Sequence, residues 1–331
     1  MSITKALRFP AQPWLLAALL LTLLLSLTAS AADSGKLTVT WLDMKVHGLA
    51  TLIETPSGKV YLIDTGGYDK KLDYNAARDT VAPLLKAKGY TQIDGIAVSH
   101  PHADHYGGLE WWLTNWPVKQ MVDSGYEGRA QSDDYRKLRT LAKESGGEYL
   151  VLSAGQKLAW DKDLTIEALS PPKELLELNS DPKKISDHGL LNGNSLVLRV
   201  QHGENVFLFP GDAYGMGQRF MLTNTPPAKL RAKVVTAPHH GFNTSPEFAE
   251  GTHPEIVIAS CLADYPGSPI RSPAAQAVKM YGPVGAKVYA TAWHGNIQII
   301  SDGKTVSVKT AREYAPPPAP ATESPKPAVK P

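Results

Sequence analysis

From Leu37 onward the chain is punctuated by short apolar or alternating runs, each ending at glycine, proline or a polar cluster. Twelve of them have the length and β-branched content of strands: Leu37 to Leu42, Ala50 to Glu54, Val60 to Asp64, Gly95 to Ser99, Leu164 to Leu169, Ser195 to Val200, Val206 to Phe209, Val234 to Ala237, Ile256 to Ser260, Val288 to Thr291, Ile297 to Ile300 and Thr305 to Lys309. Helical periodicity predicts helices over about Asn75 to Lys88, Gly107 to Thr114, Asp133 to Glu144 and Pro273 to Tyr281. Early strands are joined by turn signals such as Pro56-Ser57-Gly58, and later strands alternate with helices. The order predicts an α/β (α+β) chain of two mixed sheets face to face with helices outside.

The ends read differently. Residues 1–32 pair a positive start, Lys5 and Arg8, with the apolar stretch Trp14 to Leu27 and the small residues Ala29-Ser30-Ala31, and so predict a signal peptide. That stretch is short against the ~20 residues of a membrane span. A mature chain that is exported, periplasmic or secreted, with no span after signal removal, is the expectation. Residues 315–331 are rich in Pro, Ala and Lys without apolar periodicity and read as a disordered tail, leaving 33–314 as one folded domain.

Composition narrows the classes. The first 32 residues carry only Lys5 and Arg8 as charges, so the remainder has 32 basic and 32 acidic side chains. A neutral chain has no broad electrostatic affinity for nucleic acid, although a local basic groove stays open. Cys261 is the only cysteine, which excludes an internal disulfide.

The chemistry concentrates in His100-Pro101-His102-Ala103-Asp104-His105, set between a predicted strand and a predicted helix. Pro101 holds the segment extended, so His100 and His102 point the same way and can grip one cation. Asp104 and His105 follow at the helix entry and would face a second cation beside the first. Three other strand tips carry polar residues. Asp64 ends Val60 to Ile63 and reads as a turn residue or as the acceptor that orients a ligand imidazole. Asp212 follows Pro210-Gly211 and would bridge both cations, and His239-His240 follows Val234 to Pro238. His240 is read as ligand and His239 as substrate-side proton donor, the reverse assignment staying open.

These residues resemble the metallo-β-lactamase superfamily, whose signature is His-x-His-x-Asp-His with an earlier strand-end Asp, a later Asp and a final His. The nearest likeness is to the ComEC-like hydrolase domain, carried by Val39 to Gly67, Asn194 to Leu198, Pro210-Gly211-Asp212, Pro238-His239-His240-Gly241, Val288 to Thr291 and Ser301 to Lys304. The resemblance implies a four-layer αββα sandwich with metals at one edge of the sheets. It implies two divalent cations, zinc first with manganese also compatible, held by His100, His102, Asp104, His105, Asp212 and His240, and it makes His239, Asp104 and Asp64 the catalytic residues.

Departures from the pattern mark where substrate choice would differ. Asn192-Gly193-Asn194-Ser195 occupies the region where many members place a further histidine, with His188 just upstream, so either His188 or Asn194 is open as a contact to the first cation. The segment Asp43 to Gly48 replaces a Gly-Gln-Gly-Asp run, and Phe242 stands where serine commonly follows His-His-Gly.

The expected activity is an exported metal-dependent phosphodiesterase acting on nucleic acid or an envelope phosphodiester through a shared hydroxide. The same site would serve a lactone or β-lactam, and a metal-stabilised binding module without turnover is the non-enzymatic alternative. Trp111, Trp112 and Trp116 read as core or as a substrate wall, and Lys119, Arg129, Arg136 and Arg139 as a solvated face or a phosphate groove.

Overall fold

The computed structural model describes residues 35–126, 132–176, 187–262 and 272–314. The predicted signal segment 1–32, the predicted tail 315–331 and Arg129 lie outside the described residues. The first half contains β1 (Leu37–Trp41), β2 (Thr51–Glu54), β3 (Val60–Ile63), β4 (Tyr68–Asp69), β5 (Tyr74–Asn75), β6 (Gly95–Ala97), β7 (Gln120–Asp123) and β8 (Glu148–Val151). There follow β9 (Lys157–Leu158), β10 (Leu164–Ser170), β11 (Val197–His202), β12 (Asn205–Phe209), β13 (Val234–Thr236), β14 (Ile256–Ala259), β15 (Lys287–Ala290), β16 (Ile297–Ser301) and β17 (Val306–Thr310).

Two large sheets result, ordered β17-β16-β1-β2-β3-β6-β7-β8 and β15-β14-β13-β12-β11-β10-β9. Half of each is parallel: β3, β6, β7 and β8 in one, β12, β13, β14 and β15 in the other. A parallel step needs a crossover. In the first sheet the crossovers carry Ala77–Val81 running into Ala82–Ala87, then Leu109–Asn115 and Ser132–Glu144. In the second they carry Met216–Asn224 with Pro227–Leu230, then Pro246–Thr252 and Pro273–Tyr281.

Side-chain alternation sends each strand's residues into two layers, which is why these strands read as unbroken apolar runs. Leu37, Val39 and Trp41 of β1, Tyr61 and Ile63 of β3, and Phe207 and Phe209 of β12 fill the space between the sheets. Leu62 of β3 faces the helices of the first sheet, and Leu208 of β12 and Val235 of β13 face those of the second. Three apolar layers between four layers of structure make the αββα sandwich. Trp41 Nε1 donates to Thr236 Oγ1 at 2.9 Å across the two sheets, a buried polar pair that fixes their offset. Truncating an inter-sheet side chain such as Phe207 to Ala costs about 3–5 kcal/mol.

All twelve predicted strands are present within a residue or two at their ends, and the four predicted helices likewise. Five strands were not legible: the hairpin β4–β5, β7, the edge strand β8 and the two-residue β9. The short helices Ala103–Tyr106, Asp187–Gly193, Met216–Asn224, Pro227–Leu230 and Pro246–Thr252 were not legible either. Helices of one or two turns draw their stability from packing, so their local signal is weak. Trp112 is wholly buried among the helices on the first sheet and is core, with the half-buried Trp111 and Trp116 packed against that layer. Among the described residues no helix is long and apolar enough to cross a membrane.

Candidate metal centre

Four loops bring the polar residues together, and each leaves the C-terminal end of a strand in one of the parallel halves. Asp64 follows β3, His100 to His105 follow β6, Asp212 follows β12, and His239 and His240 follow β13. Sheets of this kind present their C-terminal ends to ligands, and here two such edges face each other. The backbone ties the loops directly: Asp64 N donates to Ala97 O at 2.8 Å, Thr65 N to His105 O at 2.7 Å, Leu196 N to Ser99 O at 2.7 Å and His239 N to Gly211 O at 3.1 Å. Gly211 is required by geometry. Its φ is +52°, and a Cβ there would lie 2.5 Å from Ser99 Cβ.

Two donor groups form around Asp212. One is His100, His102 and Asp212; the other is Asp104, His105, Asp212 and His240. In the second group His240 Nε2 lies 3.1 Å and His105 Nε2 3.7 Å from Asp104 Oδ2, while His105 Nε2 is 3.2 Å from Asp212 Oδ1. In the first, His100 Nε2 is 3.6 Å from Asp212 Oδ2 and 2.7 Å from His102 Nδ1.

Three of the imidazoles, those of His100, His105 and His240, are presented by their far nitrogens, whereas His102 turns Nδ1 toward His100 Nε2. His105 Nδ1 donates to Asp64 Oδ2 at 2.8 Å, and His240 Nδ1 donates to the Ser260 carbonyl at 2.9 Å. His100 Nδ1 lies 3.0 Å from Ser99 Oγ, whose own hydrogen goes to Asp64 Oδ2 at 2.9 Å. With each Nδ1 hydrogen engaged, each Nε2 lone pair faces the interior of the site, the tautomer a metal-binding histidine needs.

Electrostatics match that arrangement for His100 and His102 and oppose it for His105 and His240, whose Nε2 proton a bound cation would have to displace. Burial pushes the Asp212 and Asp104 carboxyls up, but the surrounding imidazoles, His105 foremost, outweigh it and hold both below the usual carboxylate range. Burial holds His100 well below its ordinary value and His102 down at about 4, so both are neutral donors at neutral pH. For His105 and His240 burial is overcome, chiefly by Asp212, and their pKa values rise.

These residues fit a cation. His105 Nε2 and Asp212 Oδ1 are buried, face each other at 3.2 Å and have no other hydrogen-bond partner, so a cation between them would engage both. Nitrogen and carboxylate donors of this kind suit zinc, manganese or iron.

His239 stands apart from the two donor groups. Its Nε2 is 3.8 Å from Asp212 Oδ2, its side chain is 29% exposed, its ring stacks on Tyr214 at 18° and 5.4 Å, and Asn243 Nδ2 donates to its Nδ1 at 2.8 Å. His239, His240, Asn243 and Asp64 all have φ between +52° and +61°, and left-handed backbone at non-glycine residues clusters where geometry is fixed for function.

The two open contacts beside the first group resolve differently. Asn194 spends its amide on the backbone: Oδ1 accepts from Leu176 N at 2.7 Å, and Nδ2 donates to the Leu176 and Leu190 carbonyls. His188, at the start of Asp187–Gly193, brings Nδ1 within 2.8 Å of His102 Nε2. Among the described residues, the basic side chains of the predicted set are paired with carboxylates outside the two donor groups. Lys119 pairs with Asp94, Arg136 with Asp133, and Arg139 with the buried Asp123.

Three neighbours had no distinct sequence signal: Tyr214, Asn243 and His47. His47 comes from the β1–β2 loop, and only the departure at Asp43 to Gly48 marked its segment.

Comparison with known proteins agrees with this geometry. A family model described as the metallo-beta-lactamase superfamily matches residues 44–247. ComE operon protein 3 of Bacillus subtilis (strain 168) is 28% identical over 211 residues, which is 60% of this chain and 25% of that protein. Competence protein ComA of Neisseria gonorrhoeae is 30% identical over 252 residues, 75% of this chain and 30% of that protein. The chain thus spans a quarter to a third of the length of these ComEC-like relatives. Among solved structures, CmlA, a diiron beta-hydroxylase from Streptomyces venezuelae, aligns with a TM-score of 0.50 at 12% identity over 81% of this chain and 54% of that one, a likeness of fold alone. A family model covering most of the folded chain, and a fold that brings the motif residues of four loops into two donor groups around Asp212, lead to one conclusion: this chain belongs to the metallo-beta-lactamase superfamily.

Proposed function

We propose that the chain is a metal-dependent phosphodiesterase using two cations, and that residues 1–32 direct it out of the cytoplasm. The observation that carries the reading is Asp212, which lies between two separate donor groups and belongs to both. A carboxylate so placed is the device by which two adjacent cations are held for in-line displacement. Bound cations would supply a water of lowered pKa and stabilise charge on a phosphoryl oxygen.

The chain's own residues do the rest. His100 and His102 would hold one cation with Asp212, and Asp104, His105 and His240 the other. Asp64 and the Ser260 carbonyl fix the rings of His105 and His240, so the site needs little rearrangement when loaded. His239 is the substrate-side group: its Nδ1 accepts from Asn243, so the hydrogen sits on Nε2, on the side of Asp212. Burial keeps its pKa below the ordinary value, so it meets the leaving oxygen as a neutral N–H donor. The substrate we propose is a phosphodiester of nucleic acid, in keeping with a competence protein among the relatives, or one of the cell envelope.

The test is hydrolysis of a chromogenic phosphodiester by the purified chain, with metal content measured on the same sample and a β-lactam and a lactone run in parallel. Diester turnover that tracks metal occupancy is the expected result. Cleavage of the lactam or lactone alone would move the chemistry to carboxyl substrates, and metal with no turnover would favour a binding module.

A further inference from the structure

His47 is held in place more firmly than an ordinary loop residue. Leu49 N donates to the Asp104 carbonyl at 3.0 Å, Gly66 N to the Leu49 carbonyl at 2.8 Å, and Ser260 Oγ to the Gly48 carbonyl at 3.2 Å. The approach is too close for side chains: a Cβ on Gly48 would lie 2.5 Å from the Asp104 carbonyl, and one on Gly67 2.6 Å from the His47 carbonyl. The backbone on both sides of His47 is therefore clamped to the loops that carry Asp104 and Asp64.

The ring is aimed at the second donor group. His47 Nε2 is 3.5 Å from Asp104 Oδ2, and its ring centre is 4.1 Å from that of His240, at 55°. Within that group the separations run from 3.1 Å (His240 to Asp104) to 3.9 Å (His240 to Asp212). Donors bonded to one cation at about 2.0–2.2 Å lie about 3–3.6 Å apart at tetrahedral or five-coordinate angles, and the His47 spacing falls in that window.

We infer that His47 is a fifth donor to the second cation position, so that three imidazoles, His47, His105 and His240, and two carboxylates, Asp104 and Asp212, surround it. The first position keeps His100, His102 and Asp212, with His188 alongside. The second position is then the richer in donors and the tighter of the two. This inference rests on the two-cation reading of the site and not on the identity of the substrate.

The experiment is metal binding by the full chain, stripped with chelator and titrated with zinc and, in parallel, with cobalt(II), whose visible absorption reports coordination. The parent should take up two ions. His47→Ala should retain the weaker ion and lose at least tenfold in affinity for the tighter one, with a changed cobalt spectrum and unchanged circular dichroism. Should His47→Ala fail to fold, His47→Gln, a poor cation donor of similar reach, is read by the same criteria. Val46→Ala controls for disturbance of the loop, and an equal loss in that variant would overturn the inference. So would a His47 variant binding both ions with parental affinity and spectrum. A parent that binds fewer than two ions would instead bring down the two-cation reading itself.

Discussion

His105 Nδ1 stands 2.8 Å from Asp64 Oδ2, and both side chains are wholly shut off from solvent. This one contact decides which ring nitrogen of His105 carries hydrogen and leaves Nε2 facing Asp212 Oδ1 at 3.2 Å. Asn at position 64 tolerates the same left-handed backbone, φ +60°, but would turn an amide N–H toward His105. Asp64→Asn is expected to fold and to bind cations about 10–100-fold more weakly. Isothermal titration of the metal-stripped protein measures this, and unchanged affinity would show that Asp64 serves only the turn.

Asp212 belongs to both donor groups, so its loss should be felt at both. Asp212→Ala is expected to purify with less than one cation per chain by elemental analysis. Chelator should lower the melting temperature of the parent and leave that of Asp212→Ala almost unmoved, because a ligand stabilises only the fold that binds it.

Gly211 packs against the ligand loop with φ +52° and no room for Cβ. Gly211→Ala is expected to cost about 1–3 kcal/mol, the usual range for enforced left-handed backbone. The two loops should separate with it. A denaturant midpoint equal to the parent's would contradict the close approach to Ser99.

Asn243 is expected to act on His239 and not on the cations. In Asn243→Ala metal stoichiometry should stay at the parental value, while kcat on a phosphodiester falls by about 10–100-fold, within the range of a misplaced proton donor, and KM changes little. Long-range nitrogen–proton NMR of the His239 ring should show the Nε2–H tautomer weaken in the variant.

Burial raises the Cys261 thiol to about 11, and its side chain is 5% exposed. At pH 8 the thiolate fraction is then roughly a hundredfold below that of an ordinary cysteine. Alkylation of the native chain should be slow at pH 8, rise about tenfold per pH unit toward pH 10, and become fast at pH 8 in denaturant. Rapid labelling of the native protein at pH 8 would show that the site opens.

The sequence by itself determined twelve of the strands and most of the residues that could bind a cation. Strands buried on both faces, such as Val206 to Phe209 and Val234 to Ala237, cannot hide their composition, because every side chain in them enters an apolar layer. His100 to His105 were legible for a related reason: six adjacent positions fix their own spacing. Tertiary structure alone decided the rest. It set His240 in the donor group and left His239 outside it by giving one ring the Ser260 carbonyl and the other Asn243. It spent Asn194 on the Leu176 and Leu190 backbone and brought His188 to His102. It also carried His47 to Asp104 across 57 positions of sequence. Periodicity and motif spacing report what a segment does to itself; which loops meet at a sheet edge depends on crossovers and packing distributed over the whole chain.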